Sequence, residues 1–550
     1  MKKIINGLVL LLLLVGLAAC GNKPKTTPEE NETDLFANMF DDKTPEQWQT
    51  EYADIIGIDS DANGTLDWQE KPMTITYASD FYDDDDSLNT LYRNAVKWAE
   101  QYPNITLVRD ERFKKAVTGD SDELAMEMLV AASQDQSMPD IFYAPLSAEA
   151  YDQDLVLDLA PYVRTDSEAR AIQENALQFM VSFDRKTVWG VPYMSVAQFP
   201  AINVGMLESL NIPVPDYDWT YEEYEALRDQ VGAFTDNGSC AFPGLIDFSR
   251  HGLNYYDNVP NGWNGFDVEK QRFDFSAGQG YGAWLTEEAN EGNKGWHFFD
   301  LSLSEQEAVC GSYGFPWGDG FQAIDNIWMF SLSTDARNMI ETRELNIDIY
   351  PMPTAPAGGN TSISAYFDAL SLGYHLRSDR VKAEAVYDLA KWLSYGEDGT
   401  EARWAMIDED IATYGENVDA WVELGNDALD FPLVHPSTHL MDYIMGWPVT
   451  NNPVVMANHP LVKGFDPDGY YAIFNFDAFQ STHFQNQLSN AIAYPRQIPA
   501  AARAYAHINV WSDIKERIRV EGYSYNALAP EIDLLLNGYL DEYLRYYNKR

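Results

Sequence analysis

An α/β chain wound on a mainly parallel sheet is what the sequence predicts, and two observations predict it. From residue 72 onward, short runs patterned as strands alternate with longer runs patterned as helices. The composition, 45% hydrophobic and 13% aromatic, supplies a large core and excludes a disordered acidic chain.

The elements follow in order. Met73–Ala78 alternates like a strand. A helix is predicted from about Ser87 to Gln101, where Leu88, Leu91, Tyr92, Ala95, Trp98 and Ala99 recur on one face. Asn104–Arg109 is the second strand, residues 121–134 the second helix, and Met138–Ala144 the third strand. This β-α-β-α-β order argues for a doubly wound sheet, in which ligands sit beyond the carboxyl ends of the strands. The loop at 80–86 and the one at 143–147 then flank a candidate site. Asp84 to Asp86 suit the following helix N-terminus, where acids complement the dipole. Tyr82 and Asp83, nearer the strand end, are the ligand candidates.

Charge and cysteine content narrow the function. With 37 Lys+Arg against 86 Asp+Glu the 550-residue chain carries −49, which argues against nucleic acid as a partner. Three cysteines do not make a disulfide scaffold. Length alone suggests roughly three to four domains.

Residues 1–19 read as a signal peptide: Lys2 and Lys3 precede an apolar run from Leu8 to Ala19, too short for the about 20 residues that span a bilayer. The run ends Leu17-Ala18-Ala19-Cys20-Gly21, similar to the bacterial lipobox, which implies that Cys20 becomes the lipidated first residue, with palmitate among its acyl chains. Residues 20–43 read as a flexible tether, and no later segment is apolar enough to span a membrane. The expected location is the outer face of the bacterial cell membrane. In that compartment Cys240 and Cys310 form a bridge or stay as two free thiols, and both readings stand open.

Segment 44–71 carries the sharpest local motif. Asp59, Asp61, Asn63, Gly64, Thr65, Asp67 and Glu70 fit D-x-[DN]-x-[DN]-G-x5-E without a mismatch, as in an EF-hand calcium loop. Calcium takes six to eight hard oxygens, which alternate positions of a tight loop supply. Asp59, Asp61, Asn63, the Thr65 carbonyl and bidentate Glu70 are the expected ligands, with Asp67 acting directly or through water. A capped helix precedes the loop, with Thr44, Pro45 and Gln47 as a capping box. Lys71-Pro72 then leads into the strand at Met73 rather than into a second helix. The ion is expected to be structural.

A set of short motifs runs in a recognisable order. They are Tyr102-Pro-Asn-Ile105, Pro139-Asp-Ile-Phe142, Asp154-Leu-Val-Leu-Asp158-Leu-Ala-Pro161-Tyr162 and Trp189-Gly-Val-Pro-Tyr193, followed by Ile212-Pro-Val-Pro215, Trp219-Thr220 and Tyr350-Pro-Met-Pro353, with a helix near 380–395. In this order, behind a lipobox, the set resembles the family 1 extracellular solute-binding proteins of ABC importers, the maltose-binding-protein-like class. The resemblance covers about residues 72–400 and loosely the rest.

It implies a type II periplasmic-binding fold: two lobes with doubly wound mixed sheets and an interlobe hinge. Residues 72–195 plus 355–425 would form one lobe and 196–354 plus 426–550 the other. Crossings between lobes are expected near 192–200 and 350–362. It further implies a monomer that does no chemistry, captures a sugar and hands it to a membrane permease.

Gly318–Trp328 resembles the family segment whose tryptophan stacks on sugar, so Trp328 carries over, as does Tyr143 after the Pro-Asp-Ile strand. Around them lie Arg250, Tyr255, Trp263, Trp317 and Asp319, in a stretch crowded with rings that suit the C–H faces of pyranoses. An oligosaccharide is the expected ligand. A peptide ligand, a surface lectin and a lipid-anchored carbohydrate-active enzyme are the alternatives. No His-Glu-x-x-His, Gly-x-Ser-x-Gly or Walker loop is present.

Overall fold

The computed structural model describes most of residues 39–236, short pieces between 266 and 307, parts of 317–354, residues 364–414 and 449–458, pieces within 481–487, and 510–547. Helix α1 (Pro45–Glu51) starts with the predicted box: the Gln47 N–H donates to Thr44 Oγ1 at 3.4 Å, and the Thr44 N–H donates to Gln47 Oε1 at 2.7 Å. Its buried residue, Trp48, stacks on Tyr52 with centroids 5.5 Å apart.

After the loop that follows, the chain makes one helical turn, α2 (Asp67–Glu70), before strand β1 (Met73–Ala78). The sequence does not announce this turn. It is closed by the Lys71 N–H on the Asp67 carbonyl at 2.9 Å, and Pro72 stops it.

Helix α3 (Thr90–Ala99) buries Ala95 and Trp98, two residues of the predicted stripe. Strand β2 (Ile105–Arg109), helix α4 (Asp122–Gln134) and strand β3 (Ile141–Tyr143) complete the expected order. β1 pairs in parallel with both β2 and β3.

From there the sheet turns antiparallel. β4 (Val191–Asn203) runs for 13 residues. The short β5 (Phe266–Asp267) and β6 (Arg272–Phe273) form a separate hairpin. β7 (Ile324–Trp328) and β8 (Ile347–Ile349) both pair with β4, and β9 (Ser364–Leu372) lies between β3 and β4. The order is β2-β1-β3-β9-β4-β7, with β8 also on β4. The sheet is thus mixed, as the resemblance implied, rather than mainly parallel as the first three strands alone suggest.

β4 runs through residues 192–200, where the first crossing is expected. Its register on β9 shifts between Pro192 and Met194, where proline has no N–H to give the ladder. β9 at 364–372 returns beside β4 in the sheet; residues 355–362 of the second expected crossing lie outside the described residues. Just past β8 the Tyr350 N–H continues the pairing with β4, on the Pro200 carbonyl at 2.8 Å, and Pro351 and Pro353 have no N–H with which to carry it further.

One core joins distant parts of the chain. Met39, Phe40, Ile56 and Trp68 pack with Ile75, Tyr77 and Trp98, with Tyr162 of α5 (Ala160–Thr165), and with Leu389 and Leu393 of α6 (Arg380–Leu393). The loop segment 44–71 therefore belongs to the first lobe and is not an appendage. Val449 joins the same core, Thr450 bridges to Ile172, and the Asn452 amide donates to Glu397 at the start of α7 (Glu397–Tyr414) at 3.3 Å. Residues 449–452 thus contact this core and the start of α7.

Farther on, the Met352 N–H donates to Gln487 Oε1 at 2.9 Å, and α8 (Tyr525–Tyr547) receives the β5–β6 hairpin through Asn537 and Phe273. No helix among the described residues is long and apolar enough to cross a membrane.

Candidate ligand and metal sites

Strand ends place the two aromatic positions carried by the resemblance. Tyr143 closes β3 opposite Leu370 of β9. Trp328 closes β7 opposite Gln198 of β4, and Gln198 in turn faces Ser364 of β9. The two positions therefore sit at opposite ends of the crossing strand, offset by about 20 Å along it at the usual rise per residue. Tyr82, Asp83, Arg250, Tyr255, Trp263 and Asp319 lie outside the described residues, as do Cys20, Cys240 and Cys310.

Trp317 is described, and it is fully buried, its indole N–H without a partner among the described residues. In this structure it packs in the interior. It opens a turn closed by the Gly320 N–H on the Trp317 carbonyl at 2.9 Å, with Gly320 at φ +77° and Leu345 against it.

Asn203, to which the sequence assigned no role, organises this end of the sheet. Its Oδ1 accepts from the Met206 N–H at 3.0 Å, capping the helix Val204–Leu210, and its amide donates to the Gly320 carbonyl at 3.4 Å.

The other end is pinned by Asp140, the residue before β3. Its carboxylate accepts from the Thr76 N–H at 2.7 Å, the Thr76 hydroxyl at 2.9 Å and His375 Nε2 at 2.8 Å, and Lys382 Nζ stands 2.8 Å away. Burial alone would push this carboxyl up. The hydrogen bonds from His375, Lys382 and Thr76 outweigh it and hold the group below its ordinary value. The aspartate of Pro-Asp-Ile thereby locks β3, β1 and α6 together under the Tyr143 position.

The acidic loop folds as its spacing requires. Asp59 accepts from the N–H groups of Asn63 at 3.2 Å and Gly64 at 2.9 Å, and Asn63 Oδ1 accepts from the Thr65 N–H at 2.7 Å. Gly64 has φ +90°, the left-handed conformation that only glycine takes freely. The Asn63 amide donates to Glu70 at 3.0 and 3.2 Å and to Asp61 at 3.3 Å, so these side chains meet across the turn.

Asp67 does otherwise. It is 4% exposed, accepts from the Ser60 N–H at 2.9 Å and the Ser60 hydroxyl at 3.0 Å, and pairs with Lys71 at 2.5 Å. Lys71 and Ser60 hold its carboxyl below the usual range. The four-residue spacing from Asp67 to Lys71 was the available signal for this pairing.

Among the described residues no three His, Cys, Asp or Glu side chains gather closely enough to hold an ion as they stand, because the Asn63 amide lies between the carboxylates. The donor set itself, Asp59, Asp61, Asn63, the Thr65 carbonyl and Glu70, is the hard-oxygen set that calcium takes.

No family model matches the chain, and no curated protein matches its sequence. Solved structures do match its fold. MalE of Xanthomonas citri, a sugar-binding protein, superposes with a TM-score of 0.52 at 13% identity, covering 87% of this chain and 100% of its own. A cyclo/maltodextrin-binding protein complexed with maltotetraose gives 0.52 at 11% identity, over 85% and 97%. An ABC substrate-binding protein of Listeria monocytogenes in complex with cycloalternan gives 0.50 at 13%, over 87% and 100%. This chain has the two-lobed, type II fold of the MalE-like solute-binding proteins.

Proposed function

We propose that the chain is the substrate-binding component of an ABC importer and captures an oligosaccharide outside the cell. One observation carries the reading. The fold is shared over 85–87% of the chain with proteins whose names record maltotetraose or cycloalternan as ligand. The strand ends add support, since Tyr143 and Trp328 close β3 and β7 on either side of the crossing pair. Two lobes joined by β4 and β9 close on ligand by bending these strands, and a permease receives the closed form. Cys20 is the proposed lipid anchor and 20–43 the tether that holds a monomeric body near the membrane.

A glycan library offered to the purified chain tests the reading. Saturable binding of an oligosaccharide with compaction in scattering, and no new product, is expected. Turnover of a glycan identifies an enzyme instead, and binding without compaction a lectin. Fractionation of cells expressing Cys20→Ser tests the anchor, which predicts release of the protein from the membrane.

Calcium is the proposed ion of the loop at 59–70. Asp59, Asp61, Asn63, the Thr65 carbonyl and Glu70 would hold it once the Asn63 amide turns its oxygen inward, and Asp67 stays with Lys71 and Ser60. Its contribution is structural: it neutralises carboxylates that one tight turn holds together.

A further inference from the structure

The loop's position in the core sets the consequence of filling it. The loop 59–70 begins just after Ile56 and ends around Trp68, and both residues are buried in the first-lobe core. Its neck is closed by the Asp67 N–H on the Ile58 carbonyl at 2.8 Å. Trp68 packs on Tyr102 at 4.8 Å and Trp98 at 6.3 Å between ring centroids, and the Trp98 indole donates to Asp388 of α6 at 2.8 Å.

Polar ties run from the same segment to the same elements. The Gly57 N–H donates to Glu384 of α6 at 2.8 Å, and Arg380 of α6 grips the Asp54 carbonyl. The Asn104 amide donates to the carbonyls of both Trp68 and Lys71 at 2.9 Å, while the Asn104 carbonyl accepts the first N–H of β1, from Met73, at 3.0 Å.

At its start the segment is held by Arg164. The guanidinium lies 4.6 Å from the Trp48 ring and donates to the Met39 carbonyl at 3.1 Å and the Tyr52 hydroxyl at 2.8 Å.

We propose that calcium binding in this loop and the seating of residues 39–78 on the first lobe are one coupled equilibrium, transmitted through Trp68 and Asn104. This rests on the calcium reading above. The two ends of the turn are fixed in the core, at Ile56 and Ile58 on one side and Trp68 on the other. An ion that draws Asp59, Asp61, Asn63 and Glu70 onto one centre therefore also holds Trp68 against Trp98 and Tyr102. Linkage then requires the reverse effect: loosening Trp68 or Asn104, which are not ligands, weakens the hold on the ion.

Hydrogen exchange and calorimetric titration of the full chain with calcium alone test this. Calcium is expected to slow amide exchange in β1 and at the α3 end near Trp98 as well as in the loop. Asn104→Ala and the milder Trp68→Phe are each expected to weaken calcium binding about tenfold. Protection confined to 59–70, or wild-type calcium affinity in both variants, overturns the coupling while leaving the ion in place. A wild-type chain that binds no calcium overturns the metal reading itself, which separates the two failures.

Discussion

Lys382 on α6 sets its ammonium 2.8 Å from the carboxylate of Asp140, which is 1% exposed just before β3. That pair, with His375 and Thr76, makes the first lobe sensitive to acid. The folded-state value of Asp140 lies below the ordinary 3.8, so its contribution is fully present above that value. It is lost as pH falls below about 4 and on through the lowered value. Thermal melts from pH 7 to pH 3 are expected to show that loss. Asp140→Asn is expected to cost about 3–5 kcal/mol at pH 7, because Lys382 is left without its carboxylate, and to flatten the melt across the acid window.

Ligand capture is expected to rest on few rings. Trp328→Ala and Tyr143→Ala should each weaken binding of the oligosaccharide found in the library by about tenfold to a hundredfold, the scale of a stacking hot spot. Melting temperature should change little relative to that loss. Calorimetric titration of both variants checks this, and unchanged affinity in both would move the sugar site away from the crossing strands.

For the ion, Glu70→Gln is expected to abolish the calcium-dependent rise in melting temperature. At a hundredfold excess over the dissociation constant that rise corresponds to about 2.7 kcal/mol. Asp67→Asn should keep most of the rise while lowering the metal-free melting temperature, since Asp67 serves Ser60 and Lys71. Melts with calcium and with EDTA separate the two variants.

Gly320→Ala is expected to destabilise the chain by more than about 1 kcal/mol. Its φ of +77° disfavours any Cβ, and an added methyl would meet Leu345 at 3.1 Å. Denaturant unfolding measures the change.

Periodicity made much of the first lobe legible. The boundaries of β1 and the burial of Ala95 and Trp98 on α3 follow from local patterns, because a strand or helix with one buried face writes its period into the sequence. The capping box at Thr44 was equally readable, being complete within four residues. The turn α2 was not, since its closure depends on a Pro72 stop and on Asp67 being drawn to Ser60 and Lys71.

By itself, then, the sequence determined the strand–helix alternation, the acidic loop with its glycine, and the ordered motifs that pointed to a two-lobed binding fold. Only the tertiary structure decided that β9 inserts between β3 and β4, that Trp317 is buried, and that residues 39–71 are woven into the first-lobe core. The physical reason is one of range. Local periodicity records which face of an element is buried, whereas pairing partners and buried polar contacts are set by side chains far apart in the chain.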